Sequence, residues 1–99
     1  MSNMVATLIP HIEIVESISG PKPRIAGTRI RVVDVVMAHQ AGTSPAQMIE
    51  DWPRITEADI YAALSFYCDN REWMDREMAE EEGIEDWFRR SHPERVVGD

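Results

Sequence analysis

Ninety-nine residues with a net charge of −8 leave room for one domain of ordinary size. The single cysteine, Cys68, excludes an intrachain disulfide and a multi-cysteine zinc site, and no stretch is apolar and long enough to cross a bilayer. The opening Met1-Ser2-Asn3-Met4 has no basic start and too short an apolar run for a secretory leader, so the chain is read as soluble, globular and cytoplasmic.

Charge is unevenly spread. Up to Glu50, the cations Lys22, Arg24, Arg29 and Arg31 balance Glu13, Glu16, Asp34 and Glu50. The remainder is acidic and supplies the net charge. A nucleic-acid role must therefore rest on a local patch and not on overall charge.

In chain order, Ile12-Glu13-Ile14-Val15-Glu16 alternates in the manner of a short strand. Ser19-Gly20-Pro21-Lys22-Pro23 reads as loop or turn. Arg24 to Val32 is expected as a tight hairpin, with Gly27 taking the positive φ of a short turn. Strand alternation then aims Ile25, Ile30 and Val32 at a core and leaves Lys22, Arg24, Arg29 and Arg31 in solvent.

A helix is expected over Val33 to Ala41, with Val32, Val35, Val36 and His39 at helical spacing and Gly42 as its stop. Ser44-Pro45-Ala46-Gln47 opens a second helix through a capping box with proline at the first helical position. Met48, Ile49 and Trp52 form its apolar face, and Pro53 ends it. Thr56-Glu57-Ala58-Asp59 is a second cap, with acids on the helix N-terminal dipole. The third helix presents Ile60, Ala63, Leu64 and Tyr67, and a weaker rhythm continues through Arg71, Met74 and Met78. Either one helix spans 57–82, or it breaks at Asp69-Asn70. Cys68 is expected as a partly buried helix residue, because free cysteine packs as a small hydrophobe.

Catalytic chemistry is hard to find. His11, His39 and His92 have no partner at metal-ligand spacing. There is no phosphate loop, dinucleotide fingerprint or Ser-His-Asp set. Asp51, Asp59, Asp69 and Asp75 read as helix caps and solvated faces, not as a metal cluster. The expectation is a non-enzyme with no cofactor and no metal.

Three features remain. The cations Lys22, Arg24, Arg29 and Arg31 on a ribbon fit phosphate contact, or else a solvated, charge-protected edge. The succession of short capped helices has the layout of a three-helix or helix-turn-helix domain. Its third helix offers outward Glu57, Asp59, Tyr61, Ser65 and Asp69, which is poor equipment for reading bases. The tail carries Trp87, Phe88, Arg89 and Arg90, residue types enriched at interface hot spots. It reads as a partner-binding segment that orders on its target, or as a plain terminus. RNA binding is weakly motivated, because the ribbon lacks the stacking aromatics of RNA-binding sheets.

The run Gly20-Pro21-Lys22-Pro23-Arg24-Ile25-Ala26-Gly27-Thr28-Arg29-Ile30-Arg31-Val32 resembles the opening signature of the DUF433 family, Gly-x-Pro-x-Ile-x-Gly-Thr-Arg-Ile-x-Val. Ala41 to Ile49, Asp51-Trp52-Pro53-Arg54-Ile55-Thr56 and Asp59 to Tyr67 resemble its later segments in order. The resemblance spans about residues 10–80. It implies a mainly α fold: a homeodomain-like three-helix, helix-turn-helix core with an N-terminal β-hairpin and a C-terminal helical extension. It places the domain at 1–82 and leaves 83–99 as an acidic, aromatic tail. It further implies the antitoxin of a type II toxin–antitoxin pair, similar to the VapB class, partnered by a PIN-like nuclease toxin and by its own promoter DNA; a homodimer is expected because two-fold sites are the rule for helix-turn-helix architecture. Rival readings are a protein-interaction module without a DNA role and a stand-alone transcription regulator without a toxin. In the antitoxin reading Arg89 or Arg90 would pair with the nuclease carboxylates, anchored by Trp87 and Phe88.

Overall fold

The structure, a computed structural model, describes residues 9–82. Its elements are β1 (Ile12–Ser17), β2 (Gly20–Ile25), α1 (Val32–Gln40), α2 (Pro45–Asp51), α3 (Glu57–Asp69) and α4 (Arg71–Glu82). The described part is thus mainly helical, with an antiparallel hairpin at its N-terminal end. A boundary between Asp69 and Asn70 separates two compact units. No helix among the described residues is long and apolar enough to cross a membrane.

The hairpin sits earlier in the chain than its composition suggests. β1 and β2 pair with Ser17 opposite Gly20 and Ile12 opposite Ile25, so the reversal falls at Ile18-Ser19. The expected loop Ser19–Pro23 is therefore mostly strand. Prolines survive there because Pro21 and Pro23 lie two apart. Both missing N–H groups then fall on the edge away from β1, where a ladder bond is not required. Gly20 takes φ +108°, closing the reversal.

The segment expected as a hairpin is instead a tight turn at the end of β2. Gly27 has the anticipated positive φ of +79°. The Ile25 N–H donates to the Ile30 carbonyl at 2.8 Å, and Arg24 bridges Arg31. Thr28 holds the turn together. Its hydroxyl donates to the Ile25 carbonyl at 2.9 Å and accepts the Ile30 N–H at 3.0 Å.

The helix caps behave largely as their residues demand. At the end of α1, the Thr43 N–H reaches the Ala38 carbonyl and the Gly42 N–H reaches the His39 carbonyl. This is the closure that a left-handed glycine permits, and Gly42 has φ +94°. Ser44 accepts the Gln47 N–H at 3.2 Å. The reciprocal half of that expected box is replaced, because the Gln47 side chain donates forward to Asp51 at 3.1 Å. Thr56 and Asp59 form a complete box, at 3.1 Å and 2.9 Å.

The core of the first unit joins Ile12 and Ile25 from the ribbon to Val32, Val33, Val35 and Val36 of α1. Met48 of α2, Ile55 and the α3 residues Ile60, Ala63 and Phe66 complete it. α1 packs chiefly on α3, and both contact the ribbon. His39, expected at helical spacing with the valines, is exposed, and Ile49, Trp52, Leu64 and Tyr67 are only half-buried. Cys68 is exposed, not partly buried. In the second unit, the break at Asn70 decides between the two readings of 57–82, and the Asn70 carbonyl accepts the Met74 N–H at 3.0 Å to start α4.

Candidate nucleic-acid interface

The ribbon register sets where the cations go. Lys22 and Arg24 are two apart on β2 and share one face, and the bridge places Arg31 beside Arg24 on the next segment. The opposite face carries buried Ile12, Pro23 and Ile25. Three of the four expected cations therefore form a row. Arg29 lies apart from it, exposed in the Gly27 turn.

Arg24 and Arg31 each face a carboxylate of the chain. Arg24 Nε lies 3.4 Å from Glu13 Oε2, an ion pair outside hydrogen-bond geometry, since that nitrogen is buried without a hydrogen-bond acceptor. The same carboxylate oxygen accepts the Gly27 N–H at 3.4 Å, so Glu13 ties the strand to the turn. Arg31 forks onto Asp34, with Nη2 to Oδ1 at 2.7 Å and Nε to Oδ2 at 3.2 Å. Asp34 also accepts the Arg31 backbone N–H at 2.9 Å, which closes the start of α1.

An open cleft of about 540 Å³ lies where the Gly27 turn faces the α2–α3 connection. That volume falls within the roughly 300–1,000 Å³ usual for binding sites. Glu13, Arg24, Thr28, Arg29 and Ile30 line one side, and Asp51, Trp52, Pro53 and Arg54 line the other. Arg29 and Arg54 are exposed and Trp52 is partly buried. Asp51 is held by Gln47. The cleft thus brings three arginines, two carboxylates and one tryptophan together.

Trp52 and Arg54 escaped the sequence reading. Trp52 looked like a core residue at helical spacing, and Arg54 sits amid acids. The visible signal was the Trp-Pro-Arg run between two capped helices, where a short connection cannot be deeply buried.

At the other end of the ribbon, His11 takes φ +69°, and its Nδ1 lies 2.8 Å from Asp59 Oδ1. Burial would push the Asp59 carboxyl up, but the hydrogen bonds from the Thr56 backbone N–H, His11 and the Thr56 side chain outweigh it. The carboxyl is held below its ordinary value. Among the described residues, no three His, Cys, Asp or Glu side chains gather as a metal site would require. Trp87, Phe88, Arg89 and Arg90, the expected partner-binding residues, lie outside the described residues.

Residues 12–67 match the family model described as a protein of unknown function, DUF433. A crystal structure of a DUF433 member protein from Anabaena variabilis ATCC 29413 is 35% identical, covers 78% of this chain and 76% of its own, and superposes with a TM-score of 0.67. No curated protein matches the chain. The match takes in the ribbon, the Gly27 turn and the cleft, and the chain belongs to the DUF433 family.

Proposed function

We propose that this chain is the antitoxin of a type II toxin–antitoxin pair, which neutralises a PIN-like RNase through its C-terminal segment and holds its own promoter DNA as a homodimer. The observation that carries the DNA half is the clustering of cations in an acidic protein. The row Lys22, Arg24 and Arg31 runs into a cleft that adds Arg29 and Arg54. Phosphate contacts from such a row supply affinity and position. The order α1, α2, α3 with a short glycine turn after α1 supports a homeodomain-like helix-turn-helix reading. In this reading the ribbon, not α3, faces the DNA.

A specific observation favours a second reading, a protein-interaction module without DNA. The outward residues of α3, Glu57, Tyr61, Ser65 and Asp69, are all exposed and include none of the Arg, Lys, Asn or Gln side chains that make the bidentate contacts to guanine and adenine in the major groove, while the two acids repel the phosphates. One experiment separates the two. The tagged chain is purified from its native cells with nuclease treatment, its companions are weighed by intact mass spectrometry, and the isolated complex is offered its promoter fragment. A stoichiometric small nuclease and a retarded promoter band are expected. A chain recovered without a nuclease would refute the antitoxin reading. A nuclease complex that leaves the promoter unshifted would leave the interaction module.

A further inference from the structure

We infer that the Trp52 cleft is a site for single-stranded nucleic acid, in which one unstacked base lies on the indole while Arg29 and Arg54 hold the adjoining phosphates. This goes beyond promoter binding. A duplex engages the ribbon cations through its backbone, but its bases are stacked on each other and offer no face to a tryptophan.

The ribbon alone has cations and no aromatic platform. The fold supplies that platform from elsewhere, because the α2–α3 connection brings Trp52 to the cleft that Arg24 and Arg29 line from the turn side. A guanidinium track beside an aromatic face is the pairing that binds single strands, the first for the backbone and the second for any base. An acidic peptide would need the arginines but would leave the indole unused.

The backbone that carries the indole is fixed before a ligand arrives. The Trp52 backbone N–H donates to the Met48 carbonyl at 2.7 Å, and the Trp52 carbonyl accepts the Ile55 N–H at 3.1 Å. Pro53 disfavours the helical region for the residue before it, and Trp52 leaves the helix with φ −127° and ψ 79°. The cations are differently prepared. Arg24 is steadied by Glu13, whereas Arg29 and Arg54 are exposed to solvent. Beyond the cleft, the row through Arg24 and Lys22 continues the track for further phosphates.

The test uses the full chain and fluorescently labelled oligothymidine, oligodeoxyuridine, oligouridine and a duplex, each of about 15 nucleotides, in anisotropy titrations. Trp52→Ala should weaken single-strand binding roughly 5- to 150-fold, the loss that goes with one stacked base, and leave the duplex affinity unchanged. Trp52→Phe should retain most of the single-strand affinity. A preference for oligouridine over both oligothymidine and oligodeoxyuridine would assign the ligand to RNA through its 2′-hydroxyl; a preference for the two deoxy strands would assign it to DNA, and equal binding to any single strand. The wild-type indole N–H resonance of Trp52, identified by its loss in Trp52→Phe, gives a second readout that needs no alanine variant. It should move with the oligonucleotides and stay in place with inorganic phosphate.

An unmoved indole overturns the inference, as does single-strand affinity indifferent to a folded Trp52→Ala. So does an indole that responds to oligoglutamate but not to any oligonucleotide, which would assign the cleft to a protein. Promoter binding can fail while all of these hold, and the reverse, so the two readings stand or fall separately.

Discussion

Asp34 couples the stability of the first unit to the charge of its ribbon. Its carboxylate accepts the Arg31 backbone N–H at 2.9 Å and both arms of the Arg31 guanidinium at 3.2 Å and 2.7 Å. It also sits in the first turn of α1, on the positive end of the helix dipole. Asp34→Ala removes all three effects. A lost capping contact costs about 1 kcal/mol, the dipole contribution is about 0.3–1 kcal/mol, and an ion pair this exposed is worth about 0.2–1 kcal/mol. The total is about 1.5–3 kcal/mol, or a fall in Tm of about 6–24 °C at roughly 4–8 °C per kcal/mol for a domain of this size. Asp34→Asn keeps a neutral acceptor for the Arg31 N–H and should lose about half as much. Binding should move the other way. Both substitutions release Arg31 from its carboxylate, so the salt dependence of duplex binding steepens by about 0.9 in log K against log salt for one added phosphate contact. Circular dichroism melts and anisotropy titrations at several salt concentrations measure the two quantities on the same samples. A variant that melts earlier while its salt slope is unchanged would refute the idea that Asp34 restrains a phosphate-binding arginine. An unchanged melt would refute the cap.

Asp59 makes a pH-dependent contribution of known sign. Its carboxyl is held below the ordinary value in the folded chain, so the stabilisation is complete above the unfolded carboxyl range and disappears as pH falls through the lowered value. Asp59→Ala should therefore cost about 1 kcal/mol at neutral pH, and the gap to wild type should close below about pH 4, as read from urea melts along a pH series; a gap that widens in acid would contradict the assignment. At Gly27, with φ +79° and nothing within 4 Å of an added Cβ, Gly27→Ala meets backbone strain and no clash. A cost of about 1–2 kcal/mol is expected, less for Gly27→Asn, seen as a lower urea midpoint at an unchanged slope.

The helices were legible because their signals are local. Ser44 before Pro45, Thr56 before Asp59 and Gly42 after α1 each act within four residues and cap at the expected place, although Gln47 turns to Asp51 and leaves the Ser44 box half formed. The hairpin was placed too late because its decisive information is a register. Pro21 and Pro23 read as loop in isolation, and only their alternation against β1 shows that both missing donors face the open edge. The cleft lay further out of reach. Its walls come from the Gly27 turn and from the residues around Pro53, and nothing near Arg54 in sequence hints that Arg29 will be its neighbour. Arg31 is the opposite case. It was counted with the solvent cations, although an aspartate three residues on at a helix start is the spacing of a capping partner.

A net charge of −8 is compatible with the anion site proposed at the cleft because the nearby carboxylates are committed to donors of the chain itself. Glu13 holds Arg24 and the Gly27 N–H, Asp34 holds Arg31, Asp51 takes the Gln47 amide, and Asp59 caps α3 and pairs with His11. Glu13 and Asp34 each face a guanidinium and project a weakened field, whereas Asp51, bonded to a neutral amide, keeps its charge at the cleft beside Arg54. At physiological ionic strength, charges separated by more than about 8 Å of solvent are largely screened, so a ligand at the cleft responds first to Arg29 and Arg54 and only weakly to acids elsewhere. The acidic remainder then has a physical consequence of its own. It opposes non-specific adhesion to polyanions at long range, where screening is incomplete at low salt, while leaving short-range recognition to the few residues placed at the cleft.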